Sequence, residues 1–243
     1  MFVIEFQRIQ KNYHLVDNCI HDVLKGVDGL INQGEVVALC GPSGSGKSSL
    51  LNICSLLDNN YKGRVIIDGE AVTKTSEFAI DIRRKKIGLI YPSFSLVTAY
   101  TVFENIEFPL IINHVAEDKR RSRVLEMMAN LGLEKYENYR PDQLSDEVRR
   151  RVVVARAFIN RPVAVIADEP VADLNSCEAL CLIDLITKLG KELRSAVLIA
   201  TCNVELAASC DRIIHLQDGH VVEHVPLASI QRRKVAEALP WGI

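Results

Sequence analysis

The feature that most constrains this chain is a glycine-rich loop between a predicted strand and a predicted helix. Glu35 to Cys40 (EVVALC) is a short apolar, β-branched run that predicts a buried strand, and Ser48 to Leu57 (SSLLNICSLL) has the apolar spacing of a helix. Between them, Gly41-Pro-Ser-Gly-Ser-Gly-Lys47-Ser48 completes a phosphate-binding pattern in its required context. An ordinary glycine-rich turn is the alternative, but average composition would produce this pattern only about once in a hundred such chains.

The loop has the chemistry of a nucleotide site. Its glycines allow successive backbone N–H groups to point at one polyanion, and the helix N-terminus adds a partial positive charge. Lys47 is expected to reach the β- and γ-phosphates, and the Ser48 hydroxyl to ligate Mg²⁺. We therefore expect ATP and Mg²⁺ as ligands. The predicted nucleotide contacts in this segment are Gly41, Ser43, Gly44, Ser45, Gly46, Lys47, Ser48 and Ser49.

A second candidate site follows a later apolar strand, Val163-Ala-Val-Ile-Ala-Asp168-Glu169-Pro170. A strand that ends in a carboxylate can hold Asp168 beside the Mg²⁺ shell, at the same edge of the sheet as the phosphate loop. Glu169 faces the other way and could polarise a water that attacks the γ-phosphate, which makes it the predicted catalytic residue. Taken alone, two acidic residues after a strand could equally be solvated turn chemistry. Their position about 120 residues after a complete phosphate loop favours function.

Strand and helix patterns alternate along the chain, which predicts an α/β protein with a mostly parallel sheet. The first 35 residues instead alternate like antiparallel strands, with a hairpin-type turn at Asn32-Gln33-Gly34, and Arg64 to Gly69 adds a strand. We expect one domain over residues 1–243. Its nucleotide-binding core and β subdomain comprise residues 1–92 and 157–225, a helical subdomain is inserted at residues 93–156, and residues 226–243 form a tail.

Three finer predictions concern the helices. Val124, Leu125, Met128 and Leu131 form one apolar helix face that stops at Gly132. A helix from Ser176 to Leu189 has Gly190 at its C-terminal end, and strands are predicted on either side of it at 163–167 and 196–200. In the tail, residues 230–239 could form a short helix, as a docking element or as a plain surface helix.

Composition narrows the possible partners. The chain has 243 residues, is 48% apolar and carries a net charge of −2, which argues against a nucleic-acid partner. No apolar run approaches the eighteen or so residues needed to cross a bilayer, and the start, MFVIEFQRIQ, lacks the features of a signal peptide. Any membrane role is therefore expected to come through a partner.

The seven cysteines lie in apolar segments and predict reduced core residues of a cytosolic protein. Cys177 and Cys181 stand four apart on a predicted helix. No histidine or second cysteine pair stands near them at metal-ligand spacing, so we do not expect a metal site there.

The chain resembles the nucleotide-binding domain of ABC transporters over nearly its whole length. The phrases VLKGVDGLINQGEVVALCGPSGSGKSSLLNI, IGLIYPSFSL, TVFENIEFPLII, ARAFINRPVAVIADEP and CDRIIHLQDGHVVE are similar to those of the lipoprotein-releasing, macrolide-export and cell-division ATPases. Tyr91 stands where the lipoprotein-releasing ATPases have a similar tyrosine. The resemblance implies that Tyr13 stacks on adenine, although a surface tyrosine at a strand end is the alternative.

The resemblance also implies partners and a location. They are an integral-membrane permease and a second ATP-binding subunit, in a homodimer or a heterodimer, with this chain peripheral on the cytoplasmic face of the cell membrane. The cargo is not implied, because the membrane subunits normally determine it.

Four motifs depart from the family pattern. Pro92 stands where the family has a glutamine that contacts Mg²⁺ and the attacking water, and proline has neither a side-chain amide nor a backbone N–H. The signature Leu-Ser-Gly-Gly-Gln is replaced by Leu144-Ser145-Asp146-Glu147-Val148. Asn175 replaces an aspartate after the catalytic glutamate, and Cys202 replaces the switch histidine. Of the six histidines, His215 falls in a later strand, where we expect a structural role.

The altered signature changes the electrostatics of a helix start that, in the family, binds the γ-phosphate of ATP held by the opposite subunit. Ser145 remains a good N-cap, and acids in the first turn favour the helix. At about 4 Å and an effective dielectric of about 20, however, each carboxylate would repel a phosphate by roughly 4 kcal/mol before screening. The Arg149-Arg150-Arg151 run is expected to be a solvated charge run, although it could neutralise the acids or form ion pairs elsewhere.

Two functions remain open from the sequence. The leading hypothesis is the ATP-binding subunit of an ABC complex, with slow or asymmetric hydrolysis because the catalytic base is poorly positioned. The alternative is a scaffold or regulatory subunit that binds ATP without turnover. A soluble ABC protein unconnected to transport is a third possibility, but the subgroup phrases argue against it.

Overall fold

The computed structural model describes residues 1–14, 20–72, 77–91 and 95–226, which form two sheets and a set of helices. The strands are β1 (Phe2–His14), β2 (Ile20–Asn32), β3 (Val36–Cys40), β4 (Lys62–Ile67), β5 (Glu70–Ala71), β6 (Ile87–Ile90), β7 (Ala164–Asp168), β8 (Ala196–Thr201), β9 (Arg212–Gln217) and β10 (His220–Pro226). The helices are α1 (Lys47–Cys54), α2 (Glu77–Lys86), α3 (Val102–Ile112), α4 (Glu117–Asn130), α5 (Asp146–Phe158), α6 (Ser176–Glu192) and α7 (Val204–Ala207), with 3-10 turns at Glu134–Tyr136 and Pro141–Gln143.

The larger sheet has the strand order β10-β9-β3-β8-β7-β6. Its strands are parallel except for β10, which pairs antiparallel with β9. All five residues of β3 are buried, as expected for a strand covered on both faces by other layers. The predicted α/β class with a mostly parallel sheet is confirmed, and the strands predicted at 35–40, 163–167 and 196–200 correspond to β3, β7 and β8.

The smaller sheet is antiparallel, with the order β2-β1-β4-β5, and it confirms the expected β layer. The Asn32-Gln33-Gly34 turn was wrongly interpreted as a hairpin. A bond from the Glu35 N–H to the Asn32 carbonyl (3.1 Å) closes it, but it joins β2 to β3, which lie in different sheets. A turn motif fixes only a local reversal, whereas strand pairing depends on distant partners.

Two apolar clusters cover the two faces of the larger sheet. Along β3, Val36, Ala38 and Cys40 belong to the cluster that includes residues of α3 to α7, while Val37 and Leu39 belong to the cluster with α1, α2 and the smaller sheet. This alternation follows the two-residue period of a strand. The sheet thus supports the helical layer on one side and the phosphate-loop helix on the other.

The helices correct three details of the sequence interpretation. In α4 the buried face is Val124, Met127 and Met128, continued by Leu131, while Leu125 is exposed, because positions three and four apart share a face. Gly132, with φ +64°, does end that face. Gly190 lies inside α6 rather than at its end. Glycine is required at this position because a Cβ would lie 2.7 Å from Val197 Cγ2. Helix α2 was not predicted.

The cysteines also differ from expectation. The six in the described residues are free, but only Cys40, Cys54 and Cys210 are buried, whereas Cys177, Cys181 and Cys202 are exposed. The prediction of core cysteines is therefore wrong for half of them. The predicted tail helix at 230–239 lies outside the described residues. Within the described chain, no helix combines the length and apolar character needed to cross a membrane.

Candidate functional site

The phosphate loop begins where β3 ends and leads directly into α1. A Cβ on Gly41 would lie 2.0 Å from the Leu216 carbonyl oxygen of β9, so the loop passes too close to the neighbouring strand for any side chain. Gly46 has φ +104°, and a Cβ there would meet Leu24 Cδ2 at 2.8 Å. The glycines therefore allow the loop to pack between β9 and β2 while it keeps its reversed backbone.

The loop borders an open cavity of ≈ 430 Å³. Six of the nucleotide contacts predicted in this segment line the cavity, together with Glu169 and Cys202. The six are Ser43, Gly44, Gly46, Lys47, Ser48 and Ser49. Gly41 and Ser45 lie outside its lining, and Ser45 is buried. His21 and Val23 of β2 also line the cavity, and no local motif in the sequence pointed to them.

Lys47 is held against its own loop. Its side chain is buried, and the ammonium donates to the Gly41 carbonyl (2.8 Å) and the Pro42 carbonyl (3.1 Å). These bonds satisfy two of the three ammonium donors and keep a full positive charge at the cavity wall. The Lys47 ammonium therefore lies beside the cavity. Phosphate oxygens could replace the two carbonyls as its hydrogen-bond acceptors.

Asp168 is the last residue of β7, at the same sheet edge as the phosphate loop. The register pairs Asp168 with Ala200 of β8, and Thr201 of β8 with Cys40 of β3, so the three strand ends lie side by side. Among the described residues, the buried Oδ1 atom of Asp168 has no hydrogen-bond partner. A buried carboxylate oxygen without a partner is costly unless a ligand completes it, which fits the donor chemistry that Mg²⁺ requires.

Glu169 is fixed by contacts with the next strand. Its N–H donates to the Ala200 carbonyl (3.0 Å), and its φ of +42° is unusual for a residue other than glycine. The Cys202 thiol donates to Glu169 Oε1 at 3.0 Å. This hydrogen bond to the carboxylate, with burial adding to it, raises the pKa of Cys202, so the thiol stays protonated and bonded to Glu169.

Tyr13 lies near the end of β1, beside the loop. It is 42% exposed, its hydroxyl is 3.2 Å from Ser49 Oγ, and the Lys11 ammonium is 4.8 Å from its ring centroid. The structure therefore places the predicted adenine-stacking ring next to the helix that follows the phosphate loop. Lys11 itself is tied to Asp58 at 2.7 Å.

The N-terminus of α5 carries the altered signature. The Ser145 hydroxyl accepts from the Val148 N–H (3.4 Å), as expected for an N-cap. Asp146 is 3.4 Å from Arg149, and Glu147 pairs with Arg151. The prediction of a solvated arginine run is wrong, because two of the three arginines neutralise the acids one helical turn away.

The third arginine has a different role. Arg150 is buried and donates to the carbonyls of Pro170 (2.9 Å) and Ala172 (2.5 Å). One guanidinium thereby connects α5 to the segment that follows Glu169. The sequence indicated three equivalent charges and missed this contact, since the two partners are separated by about 20 residues.

The remaining predicted positions are placed as follows. Asn175 caps α6, and its Oδ1 accepts from the Glu178 N–H at 3.0 Å. His215 is buried in β9, and its structural role stays a prediction. Burial raises the pKa of Tyr91, which follows β6. Pro92 lies outside the described residues.

The comparisons with known proteins fit this geometry. The sequence profile described as "ABC transporter" matches residues 24–172. The chain is 36% identical to the uncharacterized ABC transporter ATP-binding protein MJ0796 of Methanocaldococcus jannaschii, with 95% of this chain and all of the relative covered. It is also 36% identical to the lipoprotein-releasing system ATP-binding protein LolD of Hyphomonas neptunium, with 92% of this chain and 98% of the relative covered.

Solved structures agree. A dimeric structure of MJ0796 superposes with a TM-score of 0.83 at 36% identity, covering 92% of this chain and 98% of the other. A second MJ0796 structure, a post-hydrolysis dimer bound to ADP and Pi, also gives a TM-score of 0.83 at 35% identity, with the same coverage. The chain therefore belongs to the ABC transporter family and is homologous to the LolD and MJ0796 ATP-binding cassettes.

Proposed function

We propose that this chain is the ATP-binding subunit of an ABC transporter complex that works with a membrane permease of the lipoprotein-releasing or macrolide-export type. The observation that carries the proposal is the convergence of the phosphate loop, Asp168 and Glu169 at one edge of the sheet. Homology to a LolD lipoprotein-releasing protein supports the transport role. Such a subunit lies at the cytoplasmic face of the membrane, bound to the permease.

The site residues take separate roles in this proposal. Residues 41–49 hold the phosphates, with Lys47 exchanging the Gly41 and Pro42 carbonyls for phosphate oxygens. Ser48 and Asp168 hold Mg²⁺, which supplies neutralisation of phosphate charge when bound. Tyr13 offers a ring face to the adenine, and Glu169 accepts a proton from the attacking water.

Hydrolysis is proposed to be slow because Glu169 is oriented by a thiol in place of the family's histidine. Cys202 donates to Oε1 and leaves the other carboxylate oxygen available to a water, but a thiol orients the base only weakly. Thiols are weak donors, so this bond can be displaced, and the cysteine then offers only a weak donor where the family has a histidine. Positioning supplies much of the rate in phosphoryl transfer, so turnover is reduced rather than abolished.

The second ATP-binding subunit is proposed from the altered helix start. Since MJ0796 forms a dimer in its solved structures, we expect the N-terminus of α5 to face the phosphate loop of another subunit. Asp146 and Glu147 then stand where a γ-phosphate would bind. Their arginine partners reduce the repulsion, but both carboxylates stay more than half exposed, at 66% and 55%. A partner with a regular signature would make the two sites unequal.

The alternative is a scaffold or regulatory subunit that binds ATP without turnover. The Cys202 to Glu169 bond is the observation that favours it. A single comparison separates the two: hydrolysis of radiolabelled ATP by the wild-type protein with its permease partner, and by Glu169→Gln. Turnover that disappears in Glu169→Gln contradicts the scaffold. Tight binding without any turnover contradicts the coupled ATPase.

Glu126→Gln is the matched control for that experiment. Glu126 is exposed on α4, and its ion pair with Arg161 is long, at 4.0 Å. Its turnover should equal that of the wild type. If both glutamines lower turnover equally, the loss at position 169 reflects general damage and the assignment of Glu169 as the base is wrong.

A second experiment tests the electrostatic account of α5. The double substitution Asp146→Gly and Glu147→Gly should increase ATP-dependent dimerisation, measured by sedimentation, since it removes two carboxylates and adds close-approach glycines. The control is Glu117→Gly with Asp118→Gly, the same change in the first turn of α4. An equal response from both variants, or none from the first, contradicts the account.

A further inference from the structure

The exposed thiols of Cys177 and Cys181 form a pair on α6. They stand four residues apart, so they lie on one face of the helix one turn from each other. Both are exposed, and both line the same groove. Neither residue has a role in the proposed nucleotide site. Two thiols one helical turn apart on the same face are near enough for one ligand to bind both.

The pair opens into a mostly apolar groove between α5 and α6. Leucines form much of its wall, and Glu147 and Arg151 also line it. The wall residues are Leu131, Leu174, Leu182 and Leu185. An apolar wall beside the sulfurs lowers the local dielectric, so hard, strongly hydrated cations are disfavoured and soft, polarisable ones are tolerated.

We propose that Cys177 and Cys181 bind one soft monovalent cation of the cuprous type, in two-coordinate sulfur geometry. Within the described part of the chain, no three histidine, cysteine or acidic side chains are grouped to hold a metal. A zinc ion prefers four ligands, so the pair alone does not suit it. Thiolates are the ligands that monovalent copper selects, and two sulfurs suffice for it.

The charge and proton balance of binding is simple. Two thiols and one monovalent cation give a dithiolate complex of net charge −1 and release two protons, without any oxidation. Arg150 and Arg151 line the same groove and are engaged there by main-chain carbonyls and Glu147. Both guanidinium groups keep these partners, so the complex carries its net charge of −1 next to solvent, to which both cysteines are exposed.

The test is an anaerobic titration of the purified chain with cuprous ion, in competition with a chromophoric cuprous chelator. We expect one tightly bound ion per chain, with X-ray absorption reporting two sulfur ligands. Cys177→Ser and Cys181→Ser should each weaken binding by at least about 100-fold, because a chelating pair becomes a single ligand. Cys202→Ser, which removes the other exposed thiol of the described chain, is the matched control and should keep the tight site.

Three results would overturn the proposal. They are binding no tighter than that of a small free dithiol, full retention of binding in Cys177→Ser and Cys181→Ser, or loss of the site in Cys202→Ser. Circular dichroism of each variant checks that the serine substitutions at these exposed positions leave the helix intact.

Discussion

The phosphate loop and the N-terminus of α5 are both helix starts, yet they treat negative charge in opposite ways. Before α1, the loop carries no acid, and Lys47 adds a cation at the cavity wall. In the first turn of α5, Asp146 pairs with Arg149 and Glu147 pairs with Arg151. The first helix start is left open to a ligand, whereas the second is neutralised by its own chain. A helix dipole alone therefore does not make an anion site.

The largest expected effect tests the close packing of the loop. Gly41→Ala should reduce affinity for ATP by more than about 100-fold and lower the melting temperature, because its Cβ would overlap the Leu216 carbonyl and force the loop away from β9. Gly69→Ala, in the turn between β4 and β5, is the control outside the loop. No atom lies within 4 Å of its added Cβ, so only its positive φ carries a cost, about 1 kcal/mol. Equal losses in both variants would contradict the packing argument.

The next effect concerns the anchoring of α5. Arg150→Met should destabilise the protein by about 3 kcal/mol, since it leaves the Pro170 and Ala172 carbonyls without their charged donor. Chemical denaturation measures this. Arg161→Met is the control, because Arg161 is exposed and its ion pair with Glu126 is long, at 4.0 Å. It should change stability by less than about 0.5 kcal/mol. If the two match, Arg150 does not anchor the segment after Glu169.

The pH dependence of Cys202 alkylation tests the cavity beside the phosphate loop. Because the Glu169 carboxylate raises the pKa of Cys202, alkylation of this thiol should begin at higher pH than that of an ordinary cysteine. Glu169→Gln removes the negative charge, so the alkylation profile should move to lower pH. Mass spectrometry of the peptide containing Cys202, over a range of pH, records the profile. A profile that does not move would place the cause elsewhere.

The smallest effect concerns the exposed pair on α5. Arg151→Ala should cost about 0.5 kcal/mol of stability, because the Glu147 to Arg151 pair is partly solvated at 34% and 55% exposure. It also leaves the Glu147 charge uncompensated, so ATP-dependent dimerisation should weaken slightly. Raising the salt concentration should reduce the difference from the wild type. An increase in dimerisation would contradict the electrostatic account of this helix start.

Much of the fold could be predicted because its signals are local. The apolar run of β3, the glycine loop and α1 follow one another directly, and the carboxylate after β7 ends an equally clear strand. Errors arose where a distant contact decides the outcome. Gly190 is typical of a helix end in the sequence, but in the structure it allows close packing against Val197. The turn at Asn32 is typical of a hairpin, but β3 belongs to the other sheet.

The candidate site divides along the same line. The sequence identified the loop, Asp168 and Glu169 by motif, but it did not indicate His21 and Val23 of β2, which also line the cavity. Nor did it indicate that Cys202 would donate to Glu169. That bond joins residues 33 apart, which come together because β7 and β8 are neighbours in the sheet.

By itself, the sequence determined the family, the parallel sheet and the phosphate-binding loop, because each is recognised from residue types at short, fixed spacing. Only the tertiary structure decided which charges are free. It buried Arg150 on main-chain carbonyls, paired Arg149 and Arg151 with the acids of α5, and placed a thiol on Glu169. The physical reason is that the effect of a charge depends on its neighbours and its solvation, and the folded chain sets both.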